Sequence, residues 1–305
     1  MRLSFPSFPS FPSLPSRTRR GSGKTLAATA GVATATLALL ATGTPAAHAI
    51  IGGTEVSNDA YPCMVAVMDK GQGSALDRQF CGGSLVTADT VMTAAHCLVD
   101  DAGKPVSPKK LQMAVGRTVL SSSGQGQIRN AAKGGVVVHP RYLKGQEAYD
   151  VAFIQLSKPV KGISPIALPT QGTDALIRPG QKATVTGWGN TDAELPNTPD
   201  RLRQVKVPIL SHAECGTSYG EYNSKVNFCA GVETKDSCQG DSGGPIFRNV
   251  PGRRAPIQIG VVSYGDGCGA QGAPGVYTSL SSSKLWKTLD ESPAGKKVKR
   301  TMNRR

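Results

Sequence analysis

The ten residues Asp236-Ser237-Cys238-Gln239-Gly240-Asp241-Ser242-Gly243-Gly244-Pro245 leave the backbone few choices. Ser242 stands between an aspartate and two glycines, with Gly240 two places before it, so the chain must turn tightly and leave N–H groups unpaired. That arrangement suits a nucleophilic hydroxyl beside an anion hole. A serine hydroxyl is inert until a base takes its proton, so the pattern requires a histidine and an acid elsewhere in the chain. Both occur. Ala94-Ala95-His96-Cys97 follows an apolar, strand-like run, and Asp150 opens another in Tyr149-Asp150-Val151-Ala152-Phe153-Ile154.

The remainder of the chain reads as all-β. Its 305 residues, 36 of them glycine, hold many short Val/Ile/Leu runs broken by turn residues, and aromatic content is only 5%. In the first half, strands are expected at 64–68, 80–86, 91–93, 111–115, 135–138 and 151–156, enough for a small antiparallel barrel. After a Pro-punctuated crossing at 159–169, strand-like runs resume at 183–186, 202–210, 244–247, 257–263 and 276–280. Leu280, Trp286 and Leu289 then mark a short closing helix capped by Ser281 or Ser282. His48, His139 and His212 lie at no metal-ligand spacing and no Cys-x-x-Cys pair exists, so no metal site is expected.

The order His96, Asp150, Ser242, together with the three neighbourhoods that carry them and Gly187-Trp188-Gly189, resembles the trypsin-like branch of the chymotrypsin family of serine proteases. The resemblance runs from Ile50 to about Glu291. It implies a chymotrypsin-like fold of two six-stranded Greek-key barrels, here 50–163 and 164–280, with a closing helix at 281–292. It also implies an endopeptidase whose triad is Ser242, His96 and Asp150, with the N–H groups of Gly240 and Ser242 holding the oxyanion and no cofactor. By the same resemblance Ser263 braces Asp150 and offers backbone to the substrate. Asp236 closes the base of a primary pocket for arginine or lysine, and Gly265 and Gly275 are its walls. Disulfides are implied for Cys81–Cys97, Cys215–Cys229 and Cys238–Cys268. Cys63 is left over, expected as a buried thiol. The segment 116–133 lacks acidic residues, so the calcium loop of some animal relatives is not carried over.

Ile50-Ile51-Gly52-Gly53 resembles the amino terminus of activated members of the family, where the new ammonium pairs with the carboxylate beside the nucleophile, here Asp241. No lysine or arginine precedes Ile50, so a trypsin-like activator has nothing to cut there. Instead, residues 1–49 read as a removable signal peptide: a basic cluster at Arg17, Arg19, Arg20 and Lys24, an apolar stretch over 26–41, and the small residues Ala47-His48-Ala49 at the cleavage point. A secreted, extracellular protein follows, consistent with seven cysteines. The net charge of +14 sits mostly at the ends. Five basic residues in 1–49 and six in 296–305, with no acids in either, leave 24 basic against 21 acidic residues, or +3, for the body. A nucleic-acid partner is therefore not expected. The partners expected are peptide or protein substrates with Arg or Lys and protein inhibitors, acting on a monomer with no membrane association after signal removal. Two rival readings stand beside this one: a catalytically silent homologue serving as a binding module, and polyanion binding through the basic tail 293–305, which is expected to be solvated and disordered.

Overall fold

The computed structural model describes residues 50–193, 195 and 197–302, so the signal segment read at 1–49 lies outside the described residues. The chain begins with a short strand β1 (Thr54–Glu55) and then enters a closed barrel. Its strands are β2 (Met64–Asp69), β3 (Gln79–Thr87), β4 (Thr90–Thr93), β5 (Leu111–Val115), β6 (Gln127–Val138) and β7 (Ala152–Leu156), joined in the order β2-β3-β4-β7-β6-β5. A one-turn helix α1 (Ala75–Arg78), capped by Ser74, interrupts β2 and β3. Alternation explains the packing of β2, because successive side chains point to opposite faces. Val65 and Val67 join the barrel core, whereas Met64, Ala66 and Met68 join a second cluster with Trp188 and Leu202.

The second half forms β8 (Lys182–Gly187), β9 (Arg203–Pro208), helix α2 (His212–Ser218), β10 (Asn227–Ala230), β11 (Pro245–Arg248), β12 (Ile257–Tyr264) and β13 (Gly275–Ser279). This sheet departs from the six strands expected. It has seven, in the order β1-β9-β8-β11-β12-β13-β10, because Thr54 and Glu55 pair with Gln204 and Arg203 before the chain enters the first barrel. The sheet curls back on itself not through a full ladder but at a short junction between the end of β9 and β10, where Ile209 bridges Ala230 and the Leu210 N–H donates to the Cys229 carbonyl at 3.0 Å. Helix α3 (Ser283–Leu289) follows, capped by the Ser282 hydroxyl, which accepts from the Leu285 N–H.

The expectation of a disordered tail at 293–305 is corrected. Residues Pro293–Met302 form a helix, α4, and only 303–305 fall outside the described residues. Val298 and Met302 lie four apart, which places them on one helix face. Both are buried in the same core as the first barrel and α3. Lys299 turns back to donate to Asp290 at 2.7 Å and to the Trp286 carbonyl at 3.2 Å. The other cations, Lys296, Lys297 and Arg300, face solvent. Each buried aliphatic or thioether side chain stabilises by about 1.5–3 kcal/mol, part of which the ordering of the helix offsets. Deleting residues 293–305 should therefore lower the thermal unfolding midpoint by on the order of 5 °C, at about 2–4 °C per kcal/mol for a chain of this size. An unchanged midpoint would return the segment to a solvated tail.

Candidate active site

Three loops from different parts of the sequence converge between the two sheets. His96 lies in a 3-10 turn, His96–Leu98, immediately after β4, and Asp150 immediately precedes β7, the strand that pairs with β4. Their adjacency in that ladder sets their meeting: Asp150 Oδ2 lies 2.8 Å from His96 Nδ1, and Oδ1 accepts the His96 backbone N–H at 2.9 Å. Ser263, at the end of β12, donates its hydroxyl to Asp150 Oδ2 at 2.6 Å, and Thr278 Oγ1 donates to the Asp150 carbonyl at 2.8 Å. A bridge between Cys81 and Cys97 ties the histidine turn to β3.

The Ser242 loop precedes β11 and comes down on the same place. Its carbonyl accepts the Gly82 N–H from β3 at 2.8 Å and lies 3.8 Å from Cys97 Sγ, the neighbour of His96. Gly243 permits this approach. Its φ is +79°, and a Cβ there would collide with Thr93 Oγ1 and stand 2.8 Å from the Ala94 nitrogen. Ser242 Oγ itself has no hydrogen-bond partner among the described residues. The N–H groups of Gly240 and Ser242 likewise find no acceptor among the described residues, while those of Asp241, Gly243 and Gly244 are all bonded.

Three carboxylates are buried around this centre, and their environments differ. Asp150 is 1% exposed: burial pushes its pKa up, but the charge of His96 and the hydrogen bonds from His96 and Ser263 outweigh that and hold it below the usual value. Asp236 is also 1% exposed, and burial raises it to about 6 against hydrogen bonds from the N–H groups of Gly269 and Ser237. It lies in a cavity of about 210 Å³ that is also lined by Ser242, Ser263, Gly265 and Gly275. A Cβ on Gly275 would lie 2.5 Å from Asp236 Oδ1, so no other residue fits there without displacing the carboxylate. Asp241 is fully buried and raised to about 7, chiefly by burial. It accepts the N–H groups of Gly189 (2.8 Å) and Cys238 (2.9 Å) and has no cationic partner among the described residues. Gly187 and Gly189 pack directly on it, and a Cβ at either position would collide with its carboxylate.

Ile50 is fully buried in the core of the second sheet, and Ile51 bridges Asp236. In the full-length chain the Ile50 nitrogen is an uncharged amide, and no ion pair joins it to Asp241. Its φ of +47° is one that a β-branched residue avoids. The sulfurs near His96 belong to the Cys81–Cys97 bridge, so they offer no thiolate to a metal. Cys215–Cys229 and Cys238–Cys268 are also bonded, the latter fastening the Ser242 loop to the wall of the Asp236 cavity. Cys63 is a buried free thiol, pushed up to about 11 by burial. Gly82 and Thr278 escaped the sequence reading, and Thr93 figured in it only as a residue flanking His96, because their roles come from backbone and hydroxyl contacts between strands far apart in the chain.

A family model described as Trypsin matches residues 50–287. A trypsin from Saccharopolyspora erythraea is 39% identical over 236 residues, covering 76% of this chain and 94% of its own. Trypsin-1 of Astacus astacus is 35% identical over 246 residues, covering 78% and 98%. The venom peptide isomerase heavy chain of Agelenopsis aperta is 31% identical over 250 residues, with the same coverage of 78% and 98%. With this fold and these matches, the chain belongs to the trypsin family and is a serine protease acting on peptides or proteins.

Burial lowers the His96 pKa, but the charge of Asp150 and its hydrogen bond raise it further, so the net value lies above the ordinary 6.5. A group raised in the folded state adds stability that is fully present below its unfolded pKa and is lost as pH rises through the folded one. NMR titration of His96 should therefore give a midpoint above 6.5, and Asp150→Asn should lower it. An unmoved midpoint in that variant would separate the two groups.

Proposed function

We propose that this protein is a secreted endopeptidase that cleaves after arginine or lysine through Ser242, His96 and Asp150. The observation that carries the specificity is Asp236, buried with no cationic partner among the described residues in the cavity that also holds Ser242. Desolvating a carboxylate is costly unless it is paired, and an incoming guanidinium or ammonium supplies the pair. The space left by Gly265 and Gly275 admits a long side chain. In the reaction, Ser242 Oγ attacks the scissile carbonyl as His96 takes its proton, and His96 returns that proton to the leaving amine. Asp150 orients the imidazole and stabilises its charged form. The unpaired N–H groups of Gly240 and Ser242 receive the developing oxyanion; removing one such donor costs on the order of 10²–10³ in rate in comparable sites. Water then repeats the sequence on the acyl-enzyme.

Secretion rests on the apolar stretch 26–41, the small residues before Ile50 and the three disulfides. Among the described residues, no helix is long and apolar enough to cross a membrane. Removal of residues 1–49 would turn the Ile50 nitrogen into an ammonium and abolish the torsion that strains it. That ammonium is the partner we assign to Asp241.

Two outcomes test the reading. Asp236→Ser should reduce cleavage after arginine by about 30-fold to several-thousand-fold, the cost of losing one partner of a buried charge pair, while an organophosphate still labels Ser242. Equal cleavage of arginine substrates by the variant would refute the pocket assignment, and absence of labelling in the parent would favour a silent homologue. Because burial holds free Asp236 near 6, the affinity for an arginine-like cation should fall as pH drops through that value. A pH-independent affinity between 5 and 8 would contradict the pairing.

A further inference from the structure

A second cavity, of about 570 Å³, opens on the first barrel and shares no lining residue with the one that holds Ser242. Its cations come from three separate segments: Lys70 follows β2, Lys109 sits in the 3-10 turn Pro108–Lys110, and Lys133 belongs to β6. None of the three has an ion-pair or hydrogen-bond partner for its ammonium among the described residues, and no carboxylate lines the cavity.

The wall that carries Lys133 is an irregularity built into the strand. In the β6–β7 ladder Ala131 faces Leu156 and Val136 faces Ile154, so residues 132–135 stand opposite Gln155 alone. Such a bulge bends the strand and re-aims its side chains. Glycines specify it: Gly134 has a φ of +65°, and a Cβ on Gly135 would lie 2.8 Å from the Gln155 carbonyl. The other walls are fixed by the Lys70 N–H donating to the Lys110 carbonyl at 2.6 Å and the Ser157 N–H donating to the Asn130 carbonyl at 2.9 Å. Three like charges held around one concavity repel one another, and an anion removes that cost.

We propose that this cavity is a secondary docking site for an acidic segment of a polypeptide. Carboxylates meet Lys70, Lys109 and Lys133, the hydroxyls of Ser107 and Ser157 offer donors, and an aliphatic side chain rests on Pro108 and Ala131, which are half-buried in the wall. Two features favour a polypeptide over a sulfated or phosphorylated chain. The enzyme already acts on polypeptides, and a purely anionic polymer has nothing to place on the apolar wall. Docking here would hold an acidic protein at a point apart from the bond being cut. It does not depend on which residue the Asp236 cavity selects.

The test uses the Ser242→Ala protein, to prevent turnover, and a fluorescent peptide of Asp, Glu and Leu without Arg or Lys. The peptide should bind at low salt, weaken as salt rises, and weaken about tenfold or more when Lys70, Lys109 and Lys133 are all replaced by Gln, with the thermal midpoint unchanged. A peptide with Asn and Gln in place of the acids should not bind. No binding of the acidic peptide, or equal binding by the triple variant, would overturn the proposal. So would loss of heparin or inorganic phosphate binding in the triple variant with no effect on the peptide, which would assign the cavity to a different anion.

Discussion

A carboxylate sealed inside the protein, with no counter-charge among the described residues, is the condition on which the rest of the site turns. Asp241 is closed in by Gly187 and Gly189, fixed by two backbone N–H groups, and flanked by the serine that would react. Breaking a buried ion pair by removing one partner typically costs about 3–5 kcal/mol, so supplying the missing partner is worth enough to order or release a loop. The same loop carries Ser242 and the two N–H groups that we propose receive the oxyanion. Two strained or unsatisfied elements therefore point to the same event: Ile50, held at a φ of +47° in the uncut chain, and Asp241, held near 7 by burial. On the proposed reading, a cut before Ile50 would relieve the first and give the second its partner.

The three buried aspartates sit in three different environments, and the roles we propose for them follow from those differences. Asp150 has an imidazole and a hydroxyl to bond, so it stays ionised and orients His96. Asp236 lines the cavity that also holds Ser242, and on the proposed reading its partner is a cation from the substrate. Asp241 is fully buried, and the partner we assign it is the ammonium of the chain's own Ile50. The last two also feel each other, since the charge of Asp236 raises Asp241 further. On the proposed reading, a cation bound at Asp236 would make ionisation of Asp241 easier.

Much of this was legible before any coordinates. The six apolar runs of the first half coincide with the six strands of the closed barrel, because β-branched runs punctuated by glycine and proline carry a strong local signal. What stayed hidden depends on distant partners. Strand β6 starts eight residues before the run expected at 135–138, since its first part is polar and only half-buried. Strand β10, Asn227–Ala230, is too short and mixed to stand out, although its ladder with β13 and the disulfide from Cys215 bury it. Helix α2 carries a legible capping box in Ser211 and Glu214 that periodicity alone did not raise. Helix α4 was masked by its charge, because two apolar residues four apart in a lysine-rich run look incidental until a surface exists for them to cover. The same limit applies to the meeting of Gly82, Gly243 and Thr93, which is a property of two strands and a loop rather than of any segment.

The most direct measurement compares two purified chains, one beginning at Ile50 and one retaining Ala49, by the rate at which an organophosphate labels Ser242 across the pH range. The account predicts rapid labelling of the first chain, declining as pH rises through the pKa of the Ile50 ammonium, which pairing lifts above its ordinary value of about 8. It predicts slow labelling of the second chain at every pH. Equal rates from the two chains would contradict it.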